Sequence, residues 1–171
     1  LKTINENKDN KEMLEQLGLV SALTELSRRF ADSSGIRVEP RFATGLPPLS
    51  DDSELAVYRV AQESLTNIAR HADASHVEIA LLPGPDSVVL RVIDDGRGIP
   101  TPDPFALNGH GGLRGMRERA LLVGGALAVK RGSEGGVEVR LEVPAGEGCS
   151  PYPPGTPTPA PSTPRTAPPG R

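Results

Sequence analysis

Along this chain, apolar residues recur at helical spacing in some stretches and alternate with polar ones in others. In LVSALTELSRRFADS, Leu19, Ala22, Leu23 and Leu26 fall on one side, and Ser33, Ser34 and Gly35 end the helix. IRVEPRF reads as a short strand, and Ser50 and Asp51 cap a long helix running to about Ala72. HVEIALL and SVVLRVID read as strands joined by the turn PGPD. A glycine-rich loop, the helix LRGMRERALLVG and the strands ALAVKR and GVEVRLEV follow. The pattern predicts an α+β fold with helices on one face of a mixed, mainly antiparallel sheet.

Within the long helix, Glu63, Asn67 and His71 recur every four residues and so stack on one face, with Arg70 beside them. The opposite face carries Leu65, Ile68, Ala69 and Ala72, as a core-facing stripe requires. The bland reading of the outer face is a solvated surface. Asn67 argues for something more, because asparagine is a poor residue in mid-helix.

Both ends differ from the middle. Lys2, Lys8 and Lys11 crowd the start, the remaining lysine is Lys130, and every arginine lies at Arg28 or later. Residues 1–16 are therefore read as a helical segment of foreign origin, with a thin stripe of Leu1, Ile4, Met13, Leu14 and Leu17. Residues 145–171 read as a disordered, partly polyproline-II tail, since proline blocks helix and sheet and little there can bury a core. That leaves residues 17–144 as the folded domain. A chain of 171 residues beginning at Leu1 reads as a fragment of something longer.

Bulk properties exclude some classes. A net charge of −3 gives no reason to expect nucleic-acid or anionic-membrane binding. The single cysteine, Cys149, excludes an internal disulfide and any multi-thiolate zinc site. No run approaches the roughly 20 apolar residues of a membrane span.

Two glycine clusters carry candidate chemistry. VIDDGRGIP places Asp94 and Asp95 at a strand end, followed by Gly96 and Gly98. This is a strong turn signal. It is also a place where a carboxylate can accept from an exocyclic amine and glycine backbone can approach a flat ring. GHGGLRGM packs Gly109, Gly111, Gly112 and Gly115 directly before a helix, where free N–H groups favour phosphate. It is neither a Walker A loop nor a dinucleotide fingerprint, because Gly-Lys-Ser/Thr is missing and Arg114 stands where the latter needs glycine.

Taken in order, Glu-x-x-x-Asn in a helix, Asp-x-Gly-x-Gly after a strand and a glycine-rich loop before a helix resemble the GHKL ATPases of the Bergerat fold. YRVAQESLTNIARHADASHVEI, VIDDGRGIP and GGLRGMRERALLVGGAL look like the nitrate/nitrite-sensor type of bacterial histidine kinase, which pairs with LuxR-like response regulators. The resemblance covers residues 17–144 and implies a two-layer α/β sandwich. It implies ATP and Mg²⁺ as cofactors, with Asn67 as metal ligand, Glu63 as the catalytic acid-base or orienting group, and Arg70 and His71 near the phosphates. Asp94 would read adenine, Gly96 and Gly98 would adjoin the nucleotide, and Gly109, Gly111, Gly112 and Leu113 would form the phosphate-facing end of the lid. At Val137 this sequence departs from the family, which often has threonine there.

No phosphoacceptor helix is recognisable, and His71, His76 and His110 all fall inside the ATP-binding region. The expected partner is thus a phosphoacceptor and dimerisation domain, in cis or in trans, and through it a response regulator. The expected location is cytoplasmic, with an inner-membrane anchor open for a full-length protein. Two alternatives stand: an anti-sigma-type serine kinase of the same fold, and a non-catalytic nucleotide-binding or interaction module.

Overall fold

The computed structural model describes residues 2–99, 111–133 and 135–146, with the side chains of residues 2–5 and 7 excepted. Four helices and five strands follow in the order α1 (Lys2–Leu17), α2 (Leu19–Ser34), β1 (Arg37–Phe42), α3 (Asp51–His71), β2 (His76–Pro83), β3 (Ser87–Asp94), α4 (Gly111–Leu122), β4 (Ala126–Arg131) and β5 (Val137–Pro144). The strands form one sheet in the order β1-β2-β3-β5-β4. Only the β1–β2 pair is parallel. The predicted two-layer α+β sandwich, with its mixed and mainly antiparallel sheet, is the observed architecture.

Strand alternation sets the two faces. Val77, Ile79 and Leu81 of β2, Val88, Leu90 and Val92 of β3, and Val139, Leu141 and Val143 of β5 point into the core. Against them pack Leu23 of α2, Val57, Val60, Ala61 and Leu65 of α3, and Met116 of α4, each at most 2 % exposed. Each fully buried leucine among them stabilises the fold by about 1.5–3 kcal/mol relative to exposure. The outer face is a lattice of ion pairs, including Arg91–Glu138, Lys130–Glu138 and Arg41–Glu78. Of these, Arg41–Glu78 is exposed on its arginine side and contributes little, whereas Glu138 is buried between two cations. Pro40 sits on β1 at a sheet edge, where its missing donor costs no ladder bond.

Helix ends follow their sequence signals. Gly35 caps α2 in the left-handed conformation, with φ 74°. The Ser50 hydroxyl accepts from the Ser53 N–H at 3.2 Å to start α3, whose first turn carries Asp51, Asp52 and Glu54.

At the N-terminus, α1 packs on α2 and α3. Leu14 is buried, Met13 lies against the core, and Glu6 pairs with Arg59 at 3.6 Å. Leu17, placed in the same stripe from sequence, is instead 52 % exposed. At the other end, backbone bonds continue past the predicted boundary: Ala145 N–H donates to Asp86 O and Gly146 N–H to Pro48 O. The proline-rich segment beyond Gly146 lies outside the described residues. Among the described residues, no helix is long and apolar enough to cross a membrane.

Candidate functional site

Asp94 ends β3 on the inner face, in phase with Val88, Leu90 and Val92. It is 5 % exposed, a polar group at the edge of an apolar core. Its Oδ1 accepts from the Gly96 N–H at 2.8 Å, and the Val137 N–H is a second donor. Burial pushes its carboxyl above the ordinary value of 3.8; the two N–H donors offset this only in part, and the neighbouring Asp95 charge adds to the rise. A buried acceptor that keeps lone pairs to spare suits a ligand amine.

Glycines make room around it. A Cβ on Gly136 would overlap both the Asp94 main chain and its carboxylate. A Cβ on Gly96 would overlap the Ala72 carbonyl, and one on Gly98, where φ is 77°, would meet Gly135 O at 2.8 Å. Sequence reading singled out Gly96 and Gly98 but used Gly136-Val137 only to note an absent hydroxyl. It missed that this pair packs directly against Asp94, Gly136 through its lack of a side chain and Val137 through its donor N–H. The missing threonine side chain is replaced by an apolar one that packs on the core.

The α3 face sits nearby. Glu63 and Asn67 are half-buried, and Arg70 and His71 are exposed at the helix C-terminus. The basic pair there also complements the negative end of the helix. The Glu63 side chain lies against Gly112 in the first turn of α4, where a Cβ would collide with its Oε1. The two halves of the predicted site, the acid on α3 and the glycine-started helix, therefore touch. One residue of the core-facing stripe is a correction: Ala69 is exposed, and lines a groove of about 470 Å³ with Phe30, Ile36 and Arg70. The α2–α3 packing opens there, so the helical period alone overstates burial.

The lid end is seen in part. Gly111 and Gly112 begin α4, while Gly109 and His110 lie outside the described residues. Leu113 buries its side chain in the core at 8 % exposure, which leaves only its backbone to face a nucleotide. α4 itself is seated by Met116, fully buried, whose Sδ lies 3.7 Å from the Ser64 hydroxyl of α3.

The described residues hold no group of three or more His, Cys, Asp or Glu able to form a protein metal cage. Among them, no hydrogen bond ties down the Asn67 amide. The half-buried Asn67 amide on α3 is a neutral oxygen donor that could hold a hard cation such as Mg²⁺.

Residues 52–147 match the family described as histidine kinase-, DNA gyrase B-, and HSP90-like ATPase. The chain is 34 % identical over 131 residues to the oxygen sensor histidine kinase NreB of Staphylococcus carnosus, covering 77 % of this chain and 38 % of that protein. It is 28 % identical over 131 residues to the signal transduction histidine-protein kinase/phosphatase DegS of Brevibacillus brevis, covering 77 % and 33 %. The chain thus spans between a third and two fifths of these relatives' length. The histidine kinase domain of the Erythrobacter litoralis EL346 blue-light activated histidine kinase superposes with a TM-score of 0.64 at 24 % identity, covering 74 % of this chain and 61 % of that one. The ATP binding domain of PrrB from Mycobacterium tuberculosis superposes with a TM-score of 0.53 at 21 % identity, covering 72 % and 94 %. The chain belongs to the histidine kinase-, DNA gyrase B-, and HSP90-like ATPase family, and its fold is that of histidine kinase ATP-binding domains.

Proposed function

We propose that the chain is the ATP-binding catalytic domain of a cytoplasmic two-component sensor histidine kinase, transferring the ATP γ-phosphoryl to a histidine on a separate dimerisation and phosphoacceptor domain. That domain would in turn serve a LuxR-like response regulator. The observation that carries this reading is the buried Asp94 carboxylate, hydrogen-bonded to the Gly96 N–H and closely flanked by Gly136, on a loop fastened to the end of the helix that carries Glu63 and Asn67.

Asp94 would accept from the adenine amine, while Gly96, Gly98 and Gly136 let main chain close on the ring. Arg70 and His71 would offer donors to phosphate oxygens, as would the free N–H groups at the start of α4. Bound Mg²⁺ would neutralise phosphate charge and fix phosphate geometry, with Asn67 as its protein ligand. Glu63 would orient the incoming imidazole or take its proton. A site of this kind works by positioning and charge neutralisation, and needs no covalent protein nucleophile.

The test is a pair of measurements on the 171-residue chain: ATP affinity by calorimetry, and transfer of label from γ-labelled ATP to an added phosphoacceptor hairpin. Binding together with transfer to histidine is expected. Label on serine would favour the anti-sigma-type alternative, and binding with no transfer the non-catalytic one.

A further inference from the structure

Asp95 neighbours Asp94 in sequence but serves a different contact. Its Oδ1 accepts from the backbone N–H of Ser75 at 2.8 Å and of His76 at 2.9 Å, and its Oδ2 accepts from the Ser75 hydroxyl at 2.6 Å. Ser75 lies in the short connection from α3 to β2, where Asp73 adopts a φ of 53°, and His76 opens β2. A non-glycine residue there costs on the order of 1 kcal/mol and persists only where its surroundings fix it.

The same loop is also fastened to the end of α3. The Arg97 N–H donates to Ala72 O at 2.8 Å, and Arg97 Nε to His71 O at 2.6 Å. Gly96 lies so close to the Ala72 carbonyl that no side chain fits. The segment that carries Asp94 and the helix that carries Asn67, Arg70 and His71 are thus bound into one unit, and Asp95 accepts at three points of the junction.

We propose that Asp95 is a positioning residue for the nucleotide: it locks the Asp94–Gly98 loop onto the connection that leads from α3 into β2, so that the base-facing carboxylate and the phosphate-facing helix keep a fixed separation. This rests on the nucleotide site proposed above. An ordinary solvated turn would need no such residue, because Ser75 and His76 could donate to water. A ligand that spans from Asp94 to Asn67 does need it, since small errors of position weaken every contact at once.

Asp95→Ala removes all three acceptors. Asp95→Asn keeps one oxygen for the two N–H groups, and its amide can donate to the Ser75 hydroxyl, which then acts as acceptor. ATP affinity is measured by calorimetry with Mg²⁺, and amide exchange at Ser75 and His76 is measured without nucleotide. Asp95→Ala is expected to weaken ATP by about tenfold and to speed exchange at both amides. Asp95→Asn is expected to restore slow exchange and hold affinity within about threefold of the parent. If Asp95→Ala does not fold, Ser75→Ala replaces it, with an expected loss of about threefold. Unchanged ATP affinity in the folded variant overturns the proposal, as does an equal loss in Asp95→Ala and Asp95→Asn. Asp94→Asn serves as the reference. A loss there with none in Asp95→Ala removes the positioning role alone, whereas normal binding by Asp94→Asn removes the nucleotide site with it.

Discussion

The Glu63 carboxylate occupies the space that a methyl group on Gly112 would need. The contact joins residues 49 positions apart (112 − 63), and it ties the acid of α3 to the first turn of α4. It also separates two roles for that glycine. If Gly112 is there only to start a helix, alanine should be better, by up to about 1 kcal/mol. If it is there to leave room for Glu63, alanine should push the carboxylate aside. Gly112→Ala is expected to leave the melting temperature equal or higher, because only the flexible end of a side chain must move, while phosphoryl transfer to an added hairpin drops at least about tenfold. Unchanged transfer would show that the position of Glu63 does not matter.

Asp94 and Asp95 are expected to respond to pH in opposite senses. Burial raises the Asp94 carboxyl, so any stability it lends is fully present only below its ordinary value of 3.8 and is lost as pH rises through the raised value. The Ser75 hydroxyl, with the His76 and Ser75 amides, holds Asp95 down to about 2. Its contribution is therefore present above 3.8 and lost as pH falls toward about 2. Thermal melts of the nucleotide-free chain check both. Asp94→Asn should raise the melting temperature at neutral pH, and Asp95→Ala should flatten the acid limb below about pH 4. In calorimetry, Asp94→Asn should weaken ATP by about 1.5–3 kcal/mol, the worth of a charge-assisted hydrogen bond.

The different fates of these two aspartates show what the sequence could and could not reveal. Alternation along SVVLRVID puts Asp94 in phase with Val88, Leu90 and Val92, so its inward position was legible, and Asp95 had to be elsewhere. Where Asp95 points was not legible, since Ser75 and His76 lie some 20 residues back and no local period joins them. The same holds for Gly136 against Asp94 and for Gly112 against Glu63: these are contacts between elements, set by how layers pack. The helices and strands were legible because each has a clean period and a clear cap, such as Ser50 and Gly35. Ala69 was misjudged because period reports direction and not depth, and the groove beside Phe30 lets solvent reach it.

Gly136 and Gly132 flank the same turn between β4 and β5, yet alanine should be tolerated at only one of them. At Gly136 the new methyl would overlap the Asp94 main chain, which cannot rotate away. At Gly132 the nearest atoms are 3.5 Å or more away. Gly136→Ala is expected to cost about 1–3 kcal/mol of stability in denaturant melts and to weaken ATP as well. Gly132→Ala is expected to stay within about 0.5 kcal/mol of the parent on stability and to bind normally. Equal effects at the two positions would show that the space beside Asp94 is not specifically required.

Asn67→Ala tests the metal reading directly. Alanine is the better helix former, so a solvated Asn67 predicts equal or greater stability and full activity. The expected result is a folded chain whose ATP affinity no longer responds to Mg²⁺ or to its removal by chelator, and which transfers no phosphoryl group. Full transfer by Asn67→Ala would reject the metal-ligand assignment.

Purified residues 1–171 with Mg-ATP are expected to bind nucleotide but to accumulate no stable phosphohistidine on themselves. In-line transfer needs an acceptor imidazole roughly 3–3.5 Å from the γ-phosphate in a near-attack arrangement. His71 lies one turn beyond Asn67 on α3, and Arg97 holds its carbonyl. In the proposed site it would donate to phosphate from the side of the helix, without an in-line approach. His76 opens β2, and its Nε2 lies 3.4 Å from Glu39 on the outer side of the sheet. A phosphoacceptor hairpin added in trans should restore transfer, slowly, because a tethered step becomes bimolecular. Incubation with γ-labelled ATP, followed by a search for acid-labile and base-stable label, decides the matter. Stoichiometric label on this chain without any hairpin would place the acceptor among His71, His76 and His110, and would end the view that catalysis and phosphoacceptance lie on separate domains.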